Sequence, residues 1–379
     1  MQKKIIALAI AAAFSAPVVA MADVSMYGSL DGGLRHQTND KATAGTTDTM
    51  QMGQYNTARF GLKSVEDMGD GMKTNVVLET SLAPGGVGTN PSTNNNSSAA
   101  GGAGIYPNNP FGLLFDRQAT IGVSAGWGSL DLGWNYTTSF KVIKTFDPFD
   151  YKYLPYAGAK TSALADRAGN FSYMNKFGDV TVLAEYDVNN GDRAQDVDST
   201  TAPGKGRALG LLYASGPINV GLSYTKVEAG AVYTVVGGTG PANPAAITPG
   251  LAGEITHISL GGGYNFGDGK VSVGYAKKNT ASLAAGGSDA TDTNMWLGAN
   301  FNMSSKMGVT AAYYSNAKNS GATGANDSTK KIMMVGLTYN LSKASQLYAE
   351  FDKTTTVAAA TGSPDVIATG TSLGLSTSF

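Results

Sequence analysis

Along most of this chain, hydrophobic and polar positions alternate one for one. In INVGLSYT, Ile218, Val220, Leu222 and Tyr224 fall on one face, with Asn219, Gly221, Ser223 and Thr225 on the other. KVSVGYA splits into Val271, Val273 and Tyr275 against Lys270, Ser272 and Gly274. SQLYAEFD splits into Leu347, Ala349 and Phe351 against Gln346, Tyr348, Glu350 and Asp352. VSMYGSLDGGL sets Val24, Met26, Leu30 and Leu34 against Ser25, Ser29, Asp31 and Arg35. The last residues, GTSLGLSTSF, keep the pattern to the end, with Leu373, Leu375, Thr377 and Phe379 on one face and small polar residues on the other. A period of two marks β-strands. Helical periodicity is hard to find anywhere.

The alternation predicts sixteen strands of about ten residues each: 24–36, 55–65, 72–82, 115–124, 128–136, 167–177, 180–188, 206–215, 217–227, 255–265, 269–277, 292–301, 306–315, 330–340, 345–353 and 368–379. The links between them alternate too. Short ones occur at 66–71, 124–128, 177–179, 215–217, 266–269, 302–305 and 341–344. Long polar segments lie between, including the Asn- and Gly-rich 84–110 and a Gly/Pro/Ala-rich stretch from Ala229 to Gly253.

A strictly alternating short–long rhythm over an even number of strands is the layout of a transmembrane β-barrel, with trimmed turns at one end and elaborated loops at the other. In hydrocarbon every backbone N–H and C=O needs an internal partner, so a sheet must close on itself and turn its apolar side chains outward. The small polar face then lines an aqueous lumen. A soluble exported β-sandwich, β-helix or propeller would also alternate, but its polar face would look out to water and its loops need not alternate in length. Aromatics at turn-side strand ends (Phe177, Phe266, Phe301, Tyr339 and Phe379) fit a girdle at the bilayer interface.

Composition sharpens this reading. Residues 1–22, MQKKIIALAIAAAFSAPVVAMA, have two lysines, a short apolar run and an Ala20-Met21-Ala22 cleavage sequence, so they read as a secretory signal peptide, leaving a single domain over 23–379. The run is short of the ~20 residues of a membrane-spanning helix. The chain has 27 Lys and Arg against 28 Asp and Glu, a balance that gives no reason to invoke nucleic acid. It has no cysteine, which excludes disulfides, thiolate metal sites and thiol nucleophiles. Its two histidines, His36 at a loop edge and His257 at a strand start, read as ordinary surface residues. No paired carboxylates, H-E-x-x-H or G-x-S-x-G motif appears, so neither an enzyme nor a metal or cofactor site is expected.

With leader, strands and terminal Phe379 placed, the chain resembles the Gram-negative general porins, most closely their beta-proteobacterial branch. The matching stretches are DVSMYGSLDGGL at 23–34, NTARFGLKSVEDMGDGMKTNVVLE at 56–79, DRQATIGVSAGWGSLDLG at 116–133 and the closing strand. The resemblance implies a 16-stranded antiparallel barrel in the outer membrane, assembled as a homotrimer. Lipopolysaccharide and the barrel assembly machinery, which would read the C-terminal strand ending in Phe379, are the implied partners. It also implies that the third long loop, Thr137 to Asp166, folds inward and faces a basic wall made of Arg59, Arg117 and Arg167. Constriction residues on the loop would then be Asp147, Asp150, Lys152, Tyr156 and Asp166. Tyr156 stands where the family commonly has an acid, and Trp134 where an arginine often follows the glycine. Arg117 shares phase with Ala119, Ile121 and Val123, so alternation alone would turn it toward lipid unless a bulge intervenes or small side chains face the lumen.

Transport through such a pore needs a wide water path and a field, and a sixteen-stranded barrel leaves an aqueous channel. Over 137–167 Lys141, Lys144, Lys152, Lys160 and Arg167 outnumber Asp147, Asp150 and Asp166, which points to passive diffusion of small hydrophilic solutes with a preference for anions. If several lysines face the loop's outer surface, the pore is instead nearly neutral. The loop's aromatics (Phe146, Phe149, Tyr151, Tyr153, Tyr156) either pin it to the wall or guide sugars or aromatic acids. A plugged structural or adhesive barrel is the remaining alternative.

Overall fold

The computed structural model describes residues 23–39, 46–83, 86–87, 115–153, 167–187, 205–228, 230–236, 246–283, 287–321, 327–358 and 365–379. The strands, in chain order, are β1 (Asp23–Asn39), β2 (Thr46–Met52), β3 (Arg59–Gly69), β4 (Met72–Ala83), β5 (Gly86–Val87), β6 (Gln118–Ala125), β7 (Gly128–Tyr136), β8 (Arg167–Phe177), β9 (Val180–Asp187), β10 (Gly206–Ser215), β11 (Ile218–Val227), β12 (Gly230–Val236), β13 (Ala246–Ala252), β14 (Ile255–Phe266), β15 (Gly269–Thr280), β16 (Ala290–Asn302), β17 (Met307–Asn319), β18 (Ser328–Asn340), β19 (Ser345–Ala358) and β20 (Val366–Ser378). A helix, α1 (Thr138–Phe146), follows β7.

Sixteen of the strands form the wall: β1, β3, β4, β6 to β11 and β14 to β20. Each pairs antiparallel with its neighbours, and β1 closes the ring on β20 through Ser29↔Ser378 to Asn39↔Ala368. The join continues past the ladder, where Phe379 and Gly28 exchange backbone hydrogen bonds at 3.0 and 3.1 Å. Closure removes the unpaired edges that hydrocarbon would penalise by several kcal/mol per group. The strands are strongly staggered. One row of paired residues runs from Phe266 at a turn through Gly269, Phe301, Val309, Leu337, Ala349 and Leu373 to Leu34, near the opposite end of β1. Such a shear accompanies the strand tilt of a barrel.

The predicted faces are realised along each strand. Leu209, Leu222, Leu260, Val273, Leu297, Val335, Phe351 and Leu373 are exposed, while Ser223, Ser259, Ser272, Asn294, Glu350 and Ser372 are buried. An apolar exterior around a polar interior inverts a soluble domain and suits one placed in lipid. Phe177, Phe266, Phe301, Tyr339 and Phe379 are all exposed at turn-side ends.

Every predicted strand corresponds to a wall strand, with corrections at the ends. The second was expected over 55–65 but begins at Arg59. Before it, β2 pairs with the far half of β1 from Gly32↔Met52 to Thr38↔Thr46, while β3 pairs with the near half from Asp23↔Val65 to Ser29↔Arg59. So β2 and β3 are one strand interrupted by a bulge at Gly53–Ala58 that faces only Leu30 and Asp31. A further unexpected element, the hairpin β12–β13, forms its own two-stranded sheet between β11 and β14 in the chain.

The helix was also unexpected. The Thr137 side chain caps it by accepting from Phe140 N at 3.1 Å, and Asp147 N closes the last turn on Ile143 O at 3.0 Å. Phe140, Ile143 and Phe146 share one side at helical spacing and are buried. Two and a half turns are too few for a 3.6 period to stand out in TSFKVIKTF.

Candidate pore lining

The helix and the residues after it pack on inward-facing positions of β9, β10, β11, β14 and β15. One ladder row makes most of the seat: Gly221↔Gly261↔Gly274↔Trp296↔Tyr314↔Ile332. The Phe146 ring lies against Gly221 and Gly261, where any Cβ would collide with it. The indole of Trp296 lies flat over Gly274 and donates from Nε1 to Phe146 O at 2.9 Å. Tyr314 Oη donates to Asp147 Oδ1 at 2.6 Å, and Tyr151 N donates to Asp147 Oδ2 at 2.6 Å. Further along, Asn300 Nδ2 donates to Pro148 O at 2.5 Å, and Tyr153 Oη to Ala349 O at 3.3 Å.

Asp147 is therefore fully enclosed, and its carboxyl is pushed up to about 6 by burial, against the pull of the Tyr314 and backbone donors. It does not present a free carboxylate to solvent. The acid that does is Asp150, which lies 3.8 Å from Lys144 Nζ. Lys152 Nζ sits 5.2 Å from the centroid of the Tyr55 ring. Lys160, Tyr156 and Asp166 lie outside the described residues.

The bulge at Gly53–Ala58 is the other inward piece, and the alternation did not reveal it. Asp31 Oδ2 accepts from Tyr55 N at 2.6 Å and Asn56 N at 3.1 Å, which holds the bulge to β1. Tyr55 stacks on Tyr348 with centroids 4.8 Å apart and meets Tyr153 edge-on at 4.8 Å. Tyr153 N then donates to Tyr55 O at 2.6 Å, so the bulge and the helix-bearing segment meet. Tyr348 can lie flat because Gly33 and Gly374 beneath it have no side chains. A carboxylate at the middle of β1 and a Gly-Gln pair before Tyr55 were the available signals.

The three predicted arginines do come together. Arg117 Nε donates to Glu79 Oε1 at 2.6 Å, and Arg59 Nη1 lies 3.9 Å from the same oxygen. Tyr136 Oη accepts from both Arg117 Nη2 and Arg167 Nη2 at 3.0 Å, and the Arg167 guanidinium carbon lies 4.5 Å from the centre of the Tyr136 ring. Tyr136 stacks in turn on Phe140 of α1, centroids 4.7 Å apart. Tyr27 Oη donates to Glu79 Oε2 at 3.0 Å. The parity conflict at Arg117 is resolved by the backbone: it lies just outside β6, after Phe115 at φ +63, so strand alternation does not govern it. Trp134 shares phase with Leu130 and Leu132, pairs with Ala119 and donates from Nε1 to Asp116 O at 2.8 Å.

A second ionic cluster lies on β1, β19 and β20. Arg35 Nη1 is 2.7 Å from Asp352 Oδ2 and 3.3 Å from Glu350 Oε2, all three side chains being buried. His257, expected at the surface, is buried 3.4 Å from Ser139 Oγ of α1, whereas His36 is exposed against Asp48 at 2.6 Å. No group of three or more metal-ligating side chains occurs among the described residues.

A family model described as Gram-negative porin matches residues 7–359. The chain is 28% identical over 300 residues to an outer membrane porin protein of Bordetella pertussis, covering 73% of this chain and 69% of that one. It is 27% identical over 311 residues to outer membrane porin protein 32 of Delftia acidovorans, covering 79% and 75%. Among solved structures, an anion-selective porin from Comamonas acidovorans superposes with a TM-score of 0.70 at 21% identity, over 94% of this chain and 100% of that one. An outer membrane protein of Vibrio cholerae in trimer form superposes at 0.61 with 18% identity, over 95% and 100%.

Proposed function

Because the chain belongs to the Gram-negative porin family and forms a water-filled diffusion channel in the outer membrane, we propose that its pore prefers small anions and is narrowed by residues 137–153 together with the bulge at 53–58. The observation that carries this is the position of Asp147. With that carboxyl turned into the wall, the solvent-facing charges of the segment are Lys144 and Lys152 against Asp150, while Lys141 is partly buried near Asp131 and Glu185. The Arg59–Arg117–Arg167 cluster adds three guanidiniums, two of them against the carboxylate of Glu79 and the third joined through Tyr136. A lumen with positive excess concentrates anions within a screening length of about 8 Å at physiological salt. The Comamonas acidovorans neighbour is itself an anion-selective porin, which accords with this reading.

Residues 1–22 act as the export signal in this proposal, and Phe379 marks the closing strand for the assembly machinery. The functional unit is a homotrimer in a lipopolysaccharide-bearing leaflet, and the chain has no catalytic role. The test is the reversal potential of purified protein in planar bilayers under a KCl gradient. The sign set by chloride is expected; a sign set by potassium overturns the anion reading and leaves the channel intact. Arg59→Gln and Arg167→Gln together should move the potential toward zero.

A further inference from the structure

Five wall strands repeat one motif on the lipid side: a run of apolar outward residues capped by a single base. On β10, Tyr213, Leu211 and Leu209 lead to Arg207; on β11, Ile218, Val220, Leu222 and Tyr224 lead to Lys226. On β15, Val271, Val273 and Tyr275 lead to Lys277. On β18, Tyr339, Leu337, Val335 and Met333 lead to Lys331; on β19, Leu347, Ala349 and Phe351 lead to Lys353. Each base stands a similar number of residues from its strand's short turn, so the five lie at one height. Eight residues of tilted strand rise roughly 20 Å, close to the height of a barrel's apolar band. The bases therefore sit where hydrocarbon gives way to headgroups, at the end of the barrel with the long loops.

Two of them are answered by acids: Lys226 Nζ is 2.8 Å from Glu254, and Arg207 lies 3.9 Å from Glu228. Lys277, Lys331 and Lys353 are exposed, and no ion pair is found for them among the described residues. Lys331 pairs across the ladder with Thr355, and Lys353 with Met333, so the two lysines are diagonal neighbours on one face, roughly 7–8 Å apart at Cα. The positions around them on that face are Ser315, Thr329, Thr355 and Thr369, hydroxyl donors with no carboxylate.

We propose that Lys331 and Lys353, with these hydroxyls, bind a phosphate on the headgroup of an outer-leaflet glycolipid whose acyl chains lie on the apolar residues below them. This rests on the reading that the long-loop end faces the lipopolysaccharide leaflet. A lone ammonium at that interface would be served by water. Two ammoniums on adjacent strands, without an acid between them and fenced by hydroxyls, suit a phosphate.

The probe is lipid A in diphosphoryl and enzymatically dephosphorylated forms, titrated into the detergent-solubilised protein and read by native mass spectrometry. One lysine near an anionic lipid surface contributes about 1 kcal/mol, which corresponds to about fivefold in affinity. The double variant K331Q/K353Q should therefore bind diphosphoryl lipid A about 25-fold more weakly and the dephosphorylated lipid unchanged, while K343Q at a short turn should match wild type. Single-channel conductance, which these lipid-side residues do not touch, reports that the variant has folded. Equal binding of diphosphoryl lipid by wild type and K331Q/K353Q overturns the proposal, as does an equal loss for both lipids. Competition by millimolar inorganic phosphate alone at full strength would also overturn it, by showing a free-phosphate site instead.

Discussion

Two parts of the inner surface use opposite means. On the β11–β18 side the wall carries glycines at Gly221, Gly261 and Gly274 and then the large Trp296 and Tyr314, a shaped seat filled by Phe146 and its neighbours. On the β3–β8 side the wall carries Arg59, Glu79, Arg117 and Arg167, joined through Tyr136. The first is a small apolar core built inside a membrane protein, and the second is a network of charge. The difference teaches that two separate devices shape the inner wall: packing fixes where the segment lies, and, on the proposed reading, charge sets what the remaining space favours.

Breaking the packing should have the larger effect. Phe146→Ala removes the ring from the Gly221–Gly261 seat, a loss of about 3–5 kcal/mol by analogy with buried Phe truncations. We expect larger single-channel conductance and new protease sites within 137–153, with the barrel's heat resistance retained. Unchanged conductance would show that the segment does not limit flow.

On the charged side, Arg117→Met leaves the buried Glu79 carboxylate with the more distant Arg59 alone, at a cost of about 3 kcal/mol. Thermal unfolding in detergent should move down. Adding Glu79→Gln should recover most of the loss, because the buried carboxylate is gone and Arg59, partly exposed, keeps its bonds to Ser29 and Asn56.

A smaller effect separates the two devices by pH. Burial raises the Asp147 carboxyl from the ordinary 3.8 to about 6 when the segment is docked. The docked state therefore holds the proton more tightly than the undocked one. Docking is strongest below about pH 4, weakens as pH rises through about 6, and is level above that. The span corresponds to about 3 kcal/mol at 1.36 kcal/mol per pH unit. Brief opening events should become more frequent from pH 4 to pH 7, and Asp147→Asn should flatten the profile at the low-pH level. Smallest of all, Tyr314→Phe removes one donor to that carboxyl, about 1–2 kcal/mol, and should shift the midpoint of the profile upward with little change in selectivity.

The wall was legible because lipid outside and water inside impose a period of two on every strand, and no amount of loop variation disturbs it. The convergence of Arg59, Arg117 and Arg167 was legible through the resemblance; alternation alone misplaced Arg117, because the chain bends at Phe115 before β6 begins. The bulge at Gly53–Ala58 was hidden, since Tyr55 continues an apparently regular strand while its position is decided by Asp31 on the facing strand. His257 read as a surface residue because nothing in its own strand announces α1, which covers it through Ser139.

The chain's own order of residues determined the strand number, the sidedness of each strand and closure into a cylinder, because these follow from a local rule applied sixteen times. Only the tertiary structure decided which acid faces water and which is buried. Asp147 and Asp150 are three positions apart in one aromatic-rich stretch, and their fates differ because Tyr314, far along the chain, reaches one of them and not the other.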